Sequence, residues 1–173
     1  LVRDEGVAQH YCPNEHACPP QIIGRIEHFV GRKMMAIDGL GGETVAELVQ
    51  AGLIHDVADL YDLTKEQLLG LGKGWGEKSA SQVVEGIARS KAIPFEQVLF
   101  ALGIRHVGET VAKKIARAVG SLDRLMALSR EELMGIDEVG EVIAQSILDF
   151  FGAAGNRRII DRLRAARLRF EVE

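Results

Sequence analysis

The chain has 173 residues, of which 47% are hydrophobic and 5% aromatic, and its formal net charge is −4 at a sequence pI of about 5.8. A chain of this length can bury a sizeable core, and its wealth of Ala, Leu, Glu and Arg favours packed helices over β-sheet. The charge excludes a protein coated in positive charge but leaves room for a local basic face. No apolar run reaches membrane-spanning length, no secretion signal is recognisable, and two cysteines make no disulfide framework, so we expect a cytoplasmic protein without a membrane partner.

The first predicted turn lies within residues 36–46, AIDGLGGETVA, and its pattern returns three times along the chain. The later copies read GLGKGWGEKSA at 70–80, GIRHVGETVA at 103–112 and GIDEVGEVIA at 135–144. Aligned on the glycine that follows an apolar residue, the copies place four register glycines at spacings of 35, 32 and 32 residues: Gly41, Gly76, Gly108 and Gly140. Self-similarity at a fixed period indicates repeated supersecondary units.

Each register glycine has the same two kinds of neighbour. An apolar residue precedes it, at Leu40, Trp75, Val107 and Val139. A small residue that permits close helix contact follows four positions later, at Val45, Ala80, Ala112 and Ala144. An amphipathic run comes next and predicts a helix after every turn. We expect the apolar residues, Trp75 included, to pack between helices rather than to stack on a base.

The segments between the turns predict helices as well. Residues 64–67 and 129–132 read as capping boxes, and Pro94 suits the first turn of a helix. The one extended piece that the pattern indicates lies at residues 168–172. The sequence therefore predicts an all-α fold of four tandem helix-hairpin-helix motifs in two pseudo-symmetric pairs, the first with the second and the third with the fourth.

A glycine-rich turn before a helix is typical of phosphate binding, in nucleotide pockets and in nucleic-acid clamps. A nucleotide loop needs a preceding strand and a Gly-Lys followed by Ser or Thr, whereas this chain reads GKG at 72–74 and GEKS at 76–79. No dinucleotide fingerprint fits either. We therefore expect the amides of the turns, which glycine lets approach another surface, to bind phosphate oxygens without reading bases.

The four turns differ in charge. The second and third carry lysine, arginine and histidine, whereas the first and fourth carry aspartate and glutamate, so Coulomb repulsion predicts that turns two and three dominate binding. The residues expected to contact DNA are turn glycines and basic side chains: Gly39, Gly41, Gly42, Lys73, Gly74, Gly76, Lys78, Arg105, His106, Gly108, Lys113, Lys114 and Gly140.

The chain resembles the C-terminal part of bacterial NAD-dependent DNA ligases over essentially its whole length. The resemblance lies in YCPNEHACPPQ, KMMAIDGLGGETVAELVQAGLI, LYDLTKEQLLGL, GWGEKSA, LFALGIRHVGETVAKKIA and NRRIIDRLRAARLRFE. It implies a remnant of a zinc finger at residues 1–20, a helix-hairpin-helix domain at 21–167 and a linker toward a missing C-terminal domain at 168–173. Such a domain holds nicked double-stranded DNA across the minor groove during replication and repair.

Two departures from the family qualify what the resemblance implies. The family's finger has four cysteines, and this chain contains only Cys12 and Cys18, half of a tetrahedral zinc site, so we expect a small irregular half finger. The nearby His10 and His16 read more simply as surface residues than as replacement ligands. The family's catalytic lysine belongs to a Lys-x-Asp-Gly motif, whereas the similar tetrapeptide here begins with Ala36.

The sequence offers no catalytic residue to assign. No general base or metal-binding constellation appears along the chain. We therefore expect this chain alone to be inactive, and NAD and magnesium to act through other domains of the parent enzyme. Two functions remain: a monomeric, nonspecific DNA-binding part of a ligase, or a helical protein-interaction module. Outward-pointing glycine amides favour DNA, because a protein interface more often exposes aromatics and Met.

Overall fold

A computed structural model describes residues 2–3, 10–11, 19–72 and 74–172 of the chain. The expected zinc ligands Cys12 and Cys18 and the turn residue Lys73 lie outside these residues. Within the N-terminal segment, β1 (Val2–Arg3) and β2 (His10–Tyr11) pair antiparallel.

Nearly all of the regular secondary structure in the described chain is helical. The helices are α1 (Pro19–Val30), α2 (Gly42–Gln50), a 3-10 helix (Val57–Asp62), α3 (Lys65–Leu69), α4 (Glu77–Ser90), α5 (Phe95–Ala101), α6 (Glu109–Val119), α7 (Leu122–Ala127), α8 (Arg130–Met134), α9 (Glu141–Gly152) and α10 (Ala154–Ala165). The all-α prediction is confirmed. Four turns, each ending at a register glycine, connect α1 to α2, α3 to α4, α5 to α6 and α8 to α9; we number them turns 1 to 4.

The capping boxes begin two of the helices that lead into turns. The hydroxyl of Thr64 accepts from the amide of Gln67 at 3.2 Å, and the Gln67 side chain accepts from the amide of Thr64 at 3.0 Å. Ser129 and Glu132 repeat this exchange at 3.2 and 3.0 Å. The hydrogen bond that the backbone amide of Ser129 donates to the Glu132 carboxylate lowers the pKa of Glu132, because it favours the charged form.

The small residues of the repeat explain how the second helix of each hairpin packs. Four positions after the register glycine, all four side chains are fully buried: Val45, Ala80, Ala112 and Ala144. Their amides donate the first hydrogen bond of the helix to the carbonyl of the register glycine, at 2.9 to 3.0 Å. The repeat thus fixes both the start of each helix and the face that enters the core.

Within each pair of hairpins, the second helix of the first hairpin contacts the turn of the second. The position six residues after the register glycine makes this contact in both cases. Glu47 accepts from the indole N–H of Trp75 in turn 2 at 3.2 Å, and Lys114 donates to Asp137 in turn 4 at 2.8 Å. The two halves of the chain thus share an equivalent contact, and we call them pair 1–2 and pair 3–4.

The two pairs are joined by α1 against α5. The imidazole Nε2 of His28 donates to the carbonyl of Phe100 at 2.9 Å, and the two rings meet edge to face. The side-chain amide of Gln97 donates to the carbonyl of Met34 at 3.3 Å. Because both bonds cross from one pair to the other, they fix the pairs relative to each other.

A charged cluster makes a second connection between the pairs. The guanidinium of Arg162 on α10 lies 2.6 Å from Asp59, 2.8 Å from Asp62 and 3.3 Å from Asp56, all within or beside the 3-10 helix. Burial disfavours the charge of Asp59, but hydrogen bonds from Arg162 and from two backbone amides outweigh it. The pKa of Asp59 therefore lies below its ordinary value of 3.8.

The C-terminal segment, expected to be a linker from residue 168, is attached to the helical body as far as it is described. Leu168 and Phe170 are buried. Leu122 donates its amide to the carbonyl of Phe170 at 2.8 Å, and Val172 donates to that of Gly120 at 2.7 Å. The extended piece predicted here thus forms, and its apolar side chains and backbone bonds hold residues 168–172 to the domain. A further C-terminal domain remains a prediction.

Candidate nucleic-acid interface

The register glycines share one backbone conformation, and it is an extended one. Their φ and ψ values are −88° and 178° at Gly41, −113° and 178° at Gly76, −86° and −174° at Gly108, and −93° and −169° at Gly140. Any amino acid adopts these angles. The positive φ that glycine favours is therefore absent from the four register positions.

Every turn has a left-handed residue two positions before the register glycine. It is Gly39 in turn 1 and Gly74 in turn 2, with φ of 88° and 86°. In turns 3 and 4 it is His106 and Glu138, both with φ of 68°. The left-handed conformation costs a non-glycine residue about 1–2 kcal/mol. Turns 3 and 4 thus have strained backbone at a position where turns 1 and 2 have glycine.

The space around the register glycines is open. A Cβ atom built on Gly41, Gly76, Gly108 or Gly140 would meet no atom within 4 Å. By contrast, a Cβ on Gly39 would lie 3.0 Å from a methyl of Val83, and one on Gly42 would lie 3.0 Å from the carboxylate of Glu27. Gly39 and Gly42 are therefore explained by contacts inside the protein. The register glycines are required neither by backbone angle nor by packing among the described residues.

Backbone amides are available beside these glycines at the start of α6. Those of Glu109, Thr110 and Val111 have no acceptor within the described part of the chain, because the first helical bond is donated by Ala112. In turn 2 the amide of Gly76 donates to the hydroxyl of Ser79 at 3.0 Å. Unpaired amides at the positive end of a helix dipole can bind an anion.

Three of the predicted basic residues extend into solvent near turns 2 and 3. Lys78, Arg105 and Lys113 are exposed and have no ion-pair partner among the described residues. His106 is also exposed. The predicted glycines and these side chains are therefore accessible together at turns 2 and 3.

Lys114 differs from its basic neighbours. Its ammonium lies 2.8 Å from a carboxylate oxygen of Asp137 and 3.2 Å from one of Glu138, so it contacts turn 4. The hydrogen bond to Asp137 raises the pKa of Lys114, and the same bond lowers the pKa of Asp137. The sequence grouped Lys114 with turn 3, and the fold brings it to the acidic turn as well.

Turns 1 and 4 carry the exposed acidic side chains that the sequence predicted, but turn 1 also exposes Arg32 and Lys33. Asp38 and Glu43 are exposed at turn 1, and Glu141 after turn 4 accepts from Arg130 at 2.6 Å. Sequence reasoning predicted Lys78, two residues after the register glycine of turn 2, but left out Thr110, which occupies the same position after the register glycine of turn 3. Alignment on the register glycines contains that signal.

The described residues contain no group of three or more His, Cys, Asp or Glu arranged to hold a metal ion. No helix among them has both the length and the apolar character needed to cross a membrane.

Comparison with known families agrees with this geometry. Residues 31–89 match the family model described as a SAM-like helix-hairpin-helix tandem, and residues 97–160 match a helix-hairpin-helix motif model. The first match covers turns 1 and 2 and the second covers turns 3 and 4. The chain is thus built from helix-hairpin-helix motifs, a class that includes DNA-binding modules.

Comparison with curated relatives shows which proteins with such motifs this chain is similar to. The chain is 58% identical over 172 residues to a protein named DNA ligase from Christiangramia forsetii, covering 99% of this chain and 26% of that protein. It is 56% identical over 168 residues to the DNA ligase of Bacteroides fragilis, covering 97% and 25%. For the DNA ligase of Phocaeicola vulgatus the identity is 56% over 173 residues, covering 100% and 26%. The chain is thus similar to proteins named DNA ligase over nearly its whole length, and it spans about a quarter of the length of these relatives.

Proposed function

We propose that this chain binds double-stranded DNA without sequence preference, by seating backbone phosphates against the amides of turns 2 and 3. The observation that carries the proposal is the open space at Gly76 and Gly108. A glycine that neither its backbone angles nor its neighbours require is explained by something that approaches from outside the chain. A phosphate oxygen at the start of a helix fits that space and the charge of the helix dipole.

The basic side chains support a phosphate ligand over a neutral one. Lys78 lies in the first turn of α4, and Arg105 lies in turn 3, so each is near a register glycine along the chain. Lys113 follows one helical turn after Gly108. Turns 2 and 3 belong to different pairs, which α1 and α5 hold together. Two phosphate sites on one rigid body can follow a duplex backbone across the minor groove, and phosphates carry no base identity.

The activity of the whole protein is a wider proposal. Its relatives are named DNA ligase, and we infer that this chain holds nicked duplex while other domains of an NAD-dependent ligase seal the nick with NAD and magnesium. Ala36 stands where the resemblance would require a nucleophilic lysine, so adenylation is assigned to those domains. Two thiolates, Cys12 and Cys18, would supply half of a structural zinc site, and the described residues supply no cluster to complete it. We further infer a monomeric, cytoplasmic protein.

The salt dependence of duplex binding tests this function. For each true phosphate contact removed, the slope of log K against log salt should flatten by about 0.9. We expect that flattening for Lys78→Ala, Arg105→Ala and Lys113→Ala, measured by fluorescence anisotropy on random-sequence duplex. The matched control is Lys91→Ala, because Lys91 is equally exposed but caps the opposite end of α4, roughly 20 Å from Lys78.

Two outcomes would overturn the proposal. Equal slopes for the turn variants and the Lys91 control would mean that the turns do not contact phosphate. Failure of the folded natural chain to bind duplex at all would favour the protein-interaction module instead.

A further inference from the structure

Turn 4 forms an ion pair with a lysine of α6. In turn 2, its equivalent in pair 1–2, the corresponding contact is a hydrogen bond from Trp75 to Glu47. The ammonium of Lys114 on α6 contacts the carboxylates of Asp137 and Glu138 at 2.8 and 3.2 Å. Asp137 is largely exposed, at 80%, so water and a phosphate can reach the same ammonium. The carboxylate oxygens therefore make the same charge-assisted hydrogen bonds to the ammonium that phosphate oxygens would make.

The backbone of turn 4 is arranged to bring one of these carboxylates into place. Glu138 has a φ of 68°, in the left-handed region, where the equivalent residues of pair 1–2 are Gly39 and Gly74. A glutamate is disfavoured at that φ, so its presence calls for a compensating contact. The contact of its side chain with Lys114 is one.

The position of Lys114 follows from the architecture. Its equivalent in pair 1–2 is Glu47, six residues after Gly41, which accepts a hydrogen bond from Trp75 in turn 2. This position is thus used to contact the turn of the second hairpin in both pairs. A cation at this position therefore lies beside turn 4.

We propose that Asp137 and Glu138 hold Lys114 away from DNA phosphates and thereby restrict phosphate binding by pair 3–4 to turn 3. The inference rests on the proposed function. Because two carboxylates of its own chain hold Lys114, this lysine displaces no counterion from DNA when the chain binds. The remaining negative charge of the hairpin repels a phosphate at Gly140. Asp137 and Glu138 are then specificity-determining residues, which decide where along pair 3–4 the duplex backbone is seated.

The test is a double-mutant cycle on duplex binding. Asp137→Asn with Glu138→Gln keeps the shape of the turn and removes both charges. We expect this neutral variant to bind random-sequence duplex on the order of tenfold more tightly near 0.1 M salt, with a salt slope steeper by about 0.9. Lys114→Ala should leave the slope of the natural chain unchanged, but should lower the slope of the neutral variant by about 0.9.

The matched control is Glu131→Gln, which removes an exposed carboxylate from α8 of the same hairpin without releasing a cation. It should leave the slope unchanged, and thermal unfolding should confirm that every variant is folded. If Lys114→Ala flattens the slope equally in both backgrounds, Lys114 already contacts phosphate and the inference is wrong. If neutral turn and control variants gain affinity alike, general repulsion explains the gain and the inference is also wrong. Failure of every variant and of the natural chain to bind duplex would refute the proposed function itself.

Discussion

Replacing Gly108 with aspartate should raise the stability of the domain and lower its affinity for DNA. Gly108 is the N-cap of α6, with extended backbone angles of −86° and −174° and nothing within 4 Å of a built Cβ. Aspartate is among the best N-cap residues, and its charge suits the positive end of the helix dipole. We therefore expect Gly108→Asp to stabilise the domain by about 0.3–1 kcal/mol.

The same carboxylate would occupy the place where we seat a phosphate. It would take the free amides at the start of α6 and repel the incoming anion. A hydrogen bond to a charged group is worth about 1.5–3 kcal/mol, so losing one weakens duplex binding about tenfold to hundredfold. The expected result is a protein that melts higher, by about 1–4 °C for a chain of this size, and binds DNA less well.

The control is the same substitution at the other end of the same helix. Gly120 ends α6 in the left-handed region, at φ 80°, where aspartate is strained and faces the negative end of the dipole. Gly120→Asp should lower the melting temperature and leave the affinity of the folded protein unchanged. Calorimetry and fluorescence anisotropy on nicked duplex measure the two quantities. A folded Gly108→Asp variant that binds duplex like the natural chain would refute the reasoning.

Two further predictions concern the stability of the domain. Arg162→Gln should destabilise it by about 0.5–1 kcal/mol at pH 7, because Asp59 loses its partner in a network that is partly exposed to water. The pKa of Asp59 is lowered in the folded state, so its contribution is present above its ordinary value of 3.8 and is lost as the pH falls through the lower folded value. Urea unfolding of both proteins should therefore show a gap that narrows below about pH 4 and closes on further acidification; a constant gap would contradict the ion pair. Tyr61→Phe should cost about 1 kcal/mol and leave duplex affinity unchanged, because its hydroxyl bonds Ser90 at 2.8 Å inside the domain. Burial raises the pKa of Tyr61 to about 12, so spectrophotometric titration should detect its phenolate only at strongly alkaline pH, and a normal titration would contradict its burial.

Much of the fold follows from local sequence. The repeated glycine, its apolar predecessor and the small residue four positions later specify a turn, an inward side chain and a close helix contact, and each of these depends on neighbours along the chain. Ala80 and Ala112 are fully buried for that reason. The capping boxes likewise act over three residues, so their prediction needed no tertiary information.

Other features depended on residues that are distant in sequence. Gly39 lies against Val83, and Gly42 lies against Glu27. No local sequence pattern places these neighbours beside the two glycines. The attachment of residues 168–172 follows from backbone pairing with Gly120 and Leu122.

The basic residues show most clearly what the sequence determined and what only the tertiary structure decided. Sequence determined that positive charge belongs to turns 2 and 3, because Lys78, Arg105 and Lys113 are neighbours of register glycines. Only the tertiary structure decided that Lys114 meets Asp137, 23 residues away, and that Arg162 meets Asp59, 103 residues away. The charge of a side chain is fixed by its chemistry, whereas its partner is fixed by the packing of helices, which the order of residues specifies only through the folded core.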